Sequence, residues 1–149
     1  MLTSARPAPD LNLVDTSGRP WRLSDNRAAR ATLLYFMRST SCPICNRHVR
    51  DLVAQHTDFD AANIQVVVVV PEDPDTASTW KAKRAIPFPV LTGSAHESVG
   101  LTRKFFGSMQ QSGTILVDST GTIRHAHSAT IPINSYDKKG ITAAINALP

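Results

Sequence analysis

Cys42 and Cys45 are the only two cysteines of this 149-residue chain. They stand two residues apart in the stretch Phe36-Met37-Arg38-Ser39-Thr40-Ser41-Cys42-Pro43-Ile44-Cys45. Two thiols at that spacing can close into a disulfide and be reopened by exchange with another thiol. The run Thr32–Met37 before them is apolar, β-branched and aromatic, as a buried strand is. From Pro43 onward the pattern is helical, with Cys42 at the N-cap and Pro43 at the first helical position, where a missing N–H does no harm. Unpaired amides and the positive end of the helix dipole then face the Cys42 sulfur, and Arg38, Arg47, His48 and Arg50 add positive charge. A lowered pKa is expected for Cys42. Cys45 lies one turn on, pointing back under the first turn, at a Cα separation of roughly 5 to 6 Å that a disulfide spans. The chemistry implied is attack by Cys42 and resolution by Cys45.

Other uses of the same residues stay open. Buried thiols can simply pack as small hydrophobes. A structural disulfide closing so short a loop would constrain little chain. Cys42-x-x-Cys45-x-x-His48 has the look of half a zinc site, with His56, His125 and His127 as further candidates, although there is no second cysteine pair. The pair His125 and His127 reads as an exposed pair on one strand face, since alternation alone puts both on the same side. Trp80 and the Arg47, His48, Arg50 group read as packing or surface.

The elements that must position the dithiol follow from periodicity. Leu11–Asp15 and Trp21–Leu23 around a Gly18 turn form an opening hairpin, and Ser24–Arg30 is a loop or a single helical turn. Cys45, Val49, Leu52, Val53, His56 and Phe59 share one face of the helix after the dithiol. Ile64–Val70 is a nearly unbroken β-branched run, which suits a central strand covered on both faces and so an α/β sheet. A helix from about Thr76 to Arg84 follows the Pro71–Asp75 break. Ile86–Leu91, with Pro87 and Pro89, can be only a short or edge strand. Ala95–Phe106, closed by Gly107, reads as a helix. Thr114–Asp118 and Thr122–Ala126 about Gly121 make an antiparallel hairpin. Asp137–Leu148 closes the chain as a helix with Ile141, Ala144, Ile145 and Leu148 on one stripe.

Length suits one domain over residues 1–149, with a core that needs no staples. The net charge of +4 and pI near 9.4 are mild, and the basic residues are scattered apart from Arg47-His48-x-Arg50 and Lys81-x-Lys83-Arg84. Nucleic-acid binding is therefore not expected. The first ten residues lack an apolar targeting core and no stretch approaches membrane-spanning length, so a cytoplasmic protein without membrane attachment is expected.

Several stretches carry a resemblance. Pro7-Ala8-Pro9-Asp10-Leu11 with Leu13, Asp15, Gly18 and Leu23-Ser24-Asp25 is similar to the opening pattern of the alkyl hydroperoxide reductase/thiol-specific antioxidant (AhpC/TSA) family. Phe36-Met37-Arg38 through Cys42-Pro43-Ile44-Cys45 resembles the aromatic-x-Arg-x-x-x-Cys-Pro-x-Cys of its peroxiredoxin-like branch, and Pro87–Leu91 and Thr114–Asp118 with Gly121, Ile123 and Arg124 extend the likeness nearly end to end. The chain departs from the pattern at Tyr35, where typical members carry proline, and at Gln110-Gln111, where their later arginine is absent. Gly113 also replaces the proline that thioredoxins proper place before the corresponding strand.

The resemblance implies a thioredoxin-like α/β fold, with a central mixed sheet flanked by helices and an N-terminal hairpin. It implies Cys42 as the attacking and Cys45 as the resolving cysteine, with Arg38 and Ser39 as substrate-binding residues. The expected activity is reduction of hydroperoxides through a Cys42–Cys45 dithiol cycle. An external thiol donor, such as a thioredoxin-like or glutathione system, would complete the cycle, and no cofactor is expected. Thiol-disulfide exchange at the same sulfur, and a metal-binding or redox-silent interaction module on the same fold, are the rival readings.

Overall fold

The computed structural model describes residues 4–93, 95–104, 109–129 and 136–149, without the side chains of Lys104 and Met109. Its elements are β1 (Asn12–Asp15), β2 (Pro20–Arg22), β3 (Ala31–Phe36), α1 (Pro43–Ala54), α2 (His56–Ala61), β4 (Ile64–Val69), α3 (Pro74–Arg84), β5 (Val90–Thr92), β6 (Arg103–Lys104), β7 (Met109–Gln110), β8 (Ser112–Asp118), β9 (Ile123–Ala129) and α4 (Lys138–Asn146). Seven strands form one mixed sheet in the order β2-β1-β5-β4-β3-β8-β9, and β6 pairs with β7 as a separate ribbon. β3 runs parallel to β4 and antiparallel to β8, so the strand that leads to the dithiol is bonded along both sides. This is the thioredoxin-like architecture, opened by the antiparallel hairpin of β1 and β2.

Alternation on the two central strands divides the core. Leu33, Tyr35, Met37, Val66, Val68 and Val70 face the helices, packing with Cys45, Val49 and Leu52 of α1, Phe59 of α2, Ala77 and Trp80 of α3, and Ile141 of α4. Leu34, Phe36, Val67 and Val69 face the other way, onto Leu11, Leu13, Leu23, Val99, Leu101 and the inward side chains of β8 and β9. Both faces are closed to water, which is why every residue of β3 is buried and why these strands lack polar alternation.

The start of the chain crosses the second face. Ala5 N–H donates to the Ile123 carbonyl at 2.7 Å, Ile123 N–H to the Arg6 carbonyl at 2.8 Å, and Ala8 N–H to the Gly121 carbonyl at 2.8 Å. β1 then bonds to β5 on the far side of the sheet, through Val14 opposite Thr92 and Asp15 opposite Leu91.

Two expectations are corrected and a third is met in one of its two forms. Ala95–Phe106 is not a helix over its described part. A 3₁₀ turn at Glu97–Val99 ends at Gly100, whose φ of +77° is left-handed. The His96 carbonyl accepts from both Val99 and Leu101 N–H there, and the chain leaves as β6; Phe105 to Gly107 lie outside the described residues. β5 is short, as expected, but it is an inner strand between β1 and β4. Pro87 and Pro89 precede it, so neither is asked for a ladder N–H. The long apolar face after Cys45 belongs to two helices, with a break at Gln55.

Candidate functional site

β3 ends at Phe36, and the next six residues carry the chain to the start of α1. Cys42 is the N-cap, in extended conformation, with Pro43 at the first helical position. Its sulfur accepts the Cys45 N–H at 3.3 Å, so a thiol stands where a serine or aspartate oxygen caps other helices. Both cysteines are free thiols and both are buried.

The two sulfurs are held in opposite electrostatic surroundings. Burial works against the Cys42 thiolate, but hydrogen bonds from the Cys45 side chain and Cys45 N–H, and a hydrogen bond and charge from Arg38, outweigh it and hold the thiol below its ordinary 9.0. Burial pushes the Cys45 thiol up to about 12; the Cys42 sulfur adds to the rise, while Arg38 N–H and the Tyr35 hydroxyl oppose it. The two thiols are thus distinguished by environment, Cys42 held toward the thiolate and Cys45 toward the thiol.

The loop before Cys42 is clamped. Asn46 is buried on α1 and donates from Nδ2 to the carbonyls of Thr40 (2.8 Å) and Cys42 (2.9 Å). Its Oδ1 accepts from Trp80 Nε1 of α3 at 2.8 Å. Glu72 Oε2 accepts from Thr40 N–H at 2.9 Å and from Thr40 Oγ1 at 2.5 Å. Asn46 of α1, backed by Trp80 of α3, and Glu72 from the loop after β4 therefore fix the same turn. Below it, His96 Nε2 meets the Met37 carbonyl at 2.7 Å.

Arg38 and Ser39 line a groove of about 280 Å³ together with Pro71, Glu72, Arg103 and Gln110. Arg38 stands beside the Cys42 sulfur. Ser39 Oγ pairs with Ser41 Oγ at 3.1 Å. His125 and His127 do share one face, but they are half-buried, not exposed, with stacked rings 6.5 Å apart. His125 Nε2 lies 3.7 Å from an Asp137 carboxylate oxygen. Among the described residues no group of three or more His, Cys, Asp or Glu is placed to hold a metal ion. No helix among them is long and apolar enough to cross a membrane.

The sequence pattern of the AhpC/TSA family matches residues 5–126, most of the chain. The chain belongs to the AhpC/TSA family. A Mycobacterium tuberculosis protein that carries a provisional peroxiredoxin name is 28% identical over 130 residues, covering 82% of each chain. Peroxiredoxin Q of rice chloroplasts is 23% identical over 123 residues, 80% of this chain and 56% of the rice protein. The crystal structure of peroxidoxin BcpB from M. tuberculosis superposes with a TM-score of 0.85 at 17% identity, covering 100% of this chain and 99% of that one.

Within this AhpC/TSA protein, the sequence reading named the residues on the loop and missed those that brace it. Asn46 and Glu72 carried no signal beyond being polar near the dithiol. Tyr35 and His48 were in view, one as a strand residue and one as part of a basic cluster, but only the packing of α1 on β3 brings them together, at 3.0 Å between Tyr35 Oη and His48 Nδ1. Arg103, on the groove wall, lies in the segment expected to be helical.

Proposed function

We propose that this AhpC/TSA protein is a thiol-dependent peroxidase that reduces hydroperoxides through a Cys42–Cys45 cycle. The observation that carries the reading is the pairing of an acidified Cys42 that is only 2% exposed with a neighbouring groove of about 280 Å³ bearing Arg38. Such an opening suits a small oxidant better than a protein disulfide. The Cys42 thiolate attacks the O–O bond, and one oxygen stays on sulfur as a sulfenic acid while the other leaves as alkoxide or hydroxide. Arg38 and the first amides of α1 offer positive charge to the leaving oxygen, and Ser39 lies on the substrate side of the groove. Cys45 then displaces the hydroxyl of the sulfenic acid, and an external thiol donor of the thioredoxin or glutathione kind reopens the disulfide. A cytoplasmic setting fits a lone dithiol that must be re-reduced.

Disulfide exchange at the same sulfur is the second reading. The pairing of Ser39 Oγ with Ser41 Oγ favours it, because that hydroxyl is already engaged within the loop. Stopped-flow mixing of the reduced protein with hydrogen peroxide, an organic hydroperoxide and a disulfide separates the two. A peroxide is expected to react fastest; a disulfide faster than both peroxides overturns the peroxidase reading.

A further inference from the structure

Under the dithiol lies a polar chain that attack on peroxide does not use. Tyr35 of β3 is fully buried, and its hydroxyl lies near enough to the Cys45 sulfur to favour its thiolate and 3.0 Å from His48 Nδ1. Cys45 and His48 are three residues apart on α1, so both look down on the same strand residue. The His48 ring packs edge-on to Tyr35, centroids 5.9 Å apart, and tilted against Tyr136 at 5.8 Å. Filling this space calls for an aromatic ring on β3 but for neither the hydroxyl nor an imidazole aligned with it.

The second half of the cycle needs what this chain could supply. Closing the disulfide requires the Cys45 thiolate. Burial, the largest cause, holds the thiol above its ordinary 9.0, so its thiolate fraction near neutral pH lies below that of an ordinary cysteine. Burial holds His48 below its ordinary 6.5, and Asp51 (favouring the charged ring) and Arg47 (opposing it) act from its own helix. Tyr35 from β3 and Tyr136 from the segment ahead of α4 are titratable groups packed against it among the described residues. His48 is therefore neutral at physiological pH, with a ring nitrogen able to take a proton.

We propose that Tyr35 and His48 form a proton relay that withdraws the Cys45 thiol proton as Cys45 attacks the oxidised Cys42. The inference rests on the reading of Cys45 as the resolving thiol. The Cys45 proton passes to Tyr35 Oη while the Tyr35 proton passes to His48 Nδ1. The Cys45 electron pair forms the S–S bond, the S–O bond of the Cys42 sulfenic acid breaks, the departing hydroxide takes a proton from water, and His48 gives its proton up to solvent and returns to neutral. Tyr35 faces the reacting thiol; His48 acts through it as a positioning and proton-accepting residue.

The test is single-turnover oxidation of the reduced full chain by excess hydrogen peroxide, followed by rapid quench and intact mass. Addition of oxygen to Cys42 depends on peroxide concentration; the later loss of water, giving the disulfide, does not. In Tyr35→Phe and His48→Asn the water-loss phase is expected to slow about 10- to 100-fold relative to the first phase. In the parent the rate of that phase rises with pH across the His48 titration, below pH 6.5, and then levels. In His48→Asn that rise disappears and the rate climbs only on the alkaline side, where Cys45 ionises directly. A water-loss phase within twofold of the parent in both variants overturns the relay. So does a slower phase that keeps the parent's pH profile, which is the mark of disturbed packing. If the parent itself never loses water, Cys45 does not resolve Cys42, and the relay falls with that reading.

Discussion

Replacing Arg38 with alanine measures how much of the Cys42 acidity comes from a side chain and how much from the helix. Arg38 contributes a hydrogen bond and a charge to the Cys42 sulfur, ranking behind the Cys45 side chain and Cys45 N–H. A hydrogen bond to a charged group is worth about 1.5–3 kcal/mol, and the half-buried position of the guanidinium places it at or below the lower end. At 1.36 kcal/mol per pKa unit this corresponds to a rise of about one unit. The Cys45 N–H contact at 3.3 Å survives the substitution, so the thiol does not rise further. The assay is the rate of iodoacetamide alkylation of Cys42 against pH, read by peptide mass so that Cys45 is scored separately. The midpoint is expected to move up by about one unit in Arg38→Ala and by less in Arg38→Lys, which keeps the charge but loses the planar fork. A midpoint that moves by less than about 0.3 unit in Arg38→Ala refutes the assignment of Arg38 to the sulfur.

Two further outcomes are expected. Asn46→Leu removes three hydrogen bonds and strands the Trp80 indole N–H in the core, so urea unfolding should show a loss of about 3–4 kcal/mol, and a loss under about 1 kcal/mol would mean the turn is held by Glu72 alone. Burial raises the Asp118 carboxyl, but Thr120, Arg124 and Thr122 outweigh it and bring it down from 3.8 to about 2; the unfolded chain then binds more protons between those values, so this stabilisation is complete above pH 4 and drains away as pH falls toward 2. Asp118→Asn should flatten that acid limb in thermal melts taken from pH 5 to pH 2, and an unchanged limb would assign it to other carboxylates.

The parts legible in the sequence were those written in local patterns. Pro43 after Cys42 marks a helix start wherever it occurs, and the run of valines from Val66 to Val70 admits only a strand covered on both sides. The helix expected over Ala95–Phe106 failed for a local reason as well: Gly100 adopts a left-handed conformation mid-segment, and glycine within a helical pattern gives no sign of which conformation it takes. The site divides in the same way. Cys42 and Cys45 stood out by their spacing ahead of a helix, and Arg38 and Ser39 by the resemblance of their stretch to the family pattern. Asn46 with Trp80, and Tyr35 with His48, did not stand out, because each pairing depends on which faces of α1 meet α3 and β3. Pairings set by packing between elements leave no mark in a single sequence unless both partners are unusual residues.

The strap formed by the start of the chain ties the sheet into one cooperative unit. Residues 5 to 8 are bonded to the turn and strand at one edge, through Gly121 and Ile123, while β1 is bonded beyond β4 through the three-residue β5 at the other. β5 alone is a narrow seam, with two residue pairs to β4 and two to β1, and a seam of that width invites local opening. With the strap in place, the hairpin cannot swing away without also releasing β9, so opening at either edge carries the cost of both. Amide hydrogen exchange would register this as matched protection of Val14 and Ile123, two residues far apart in the chain on opposite sides of the dithiol strand.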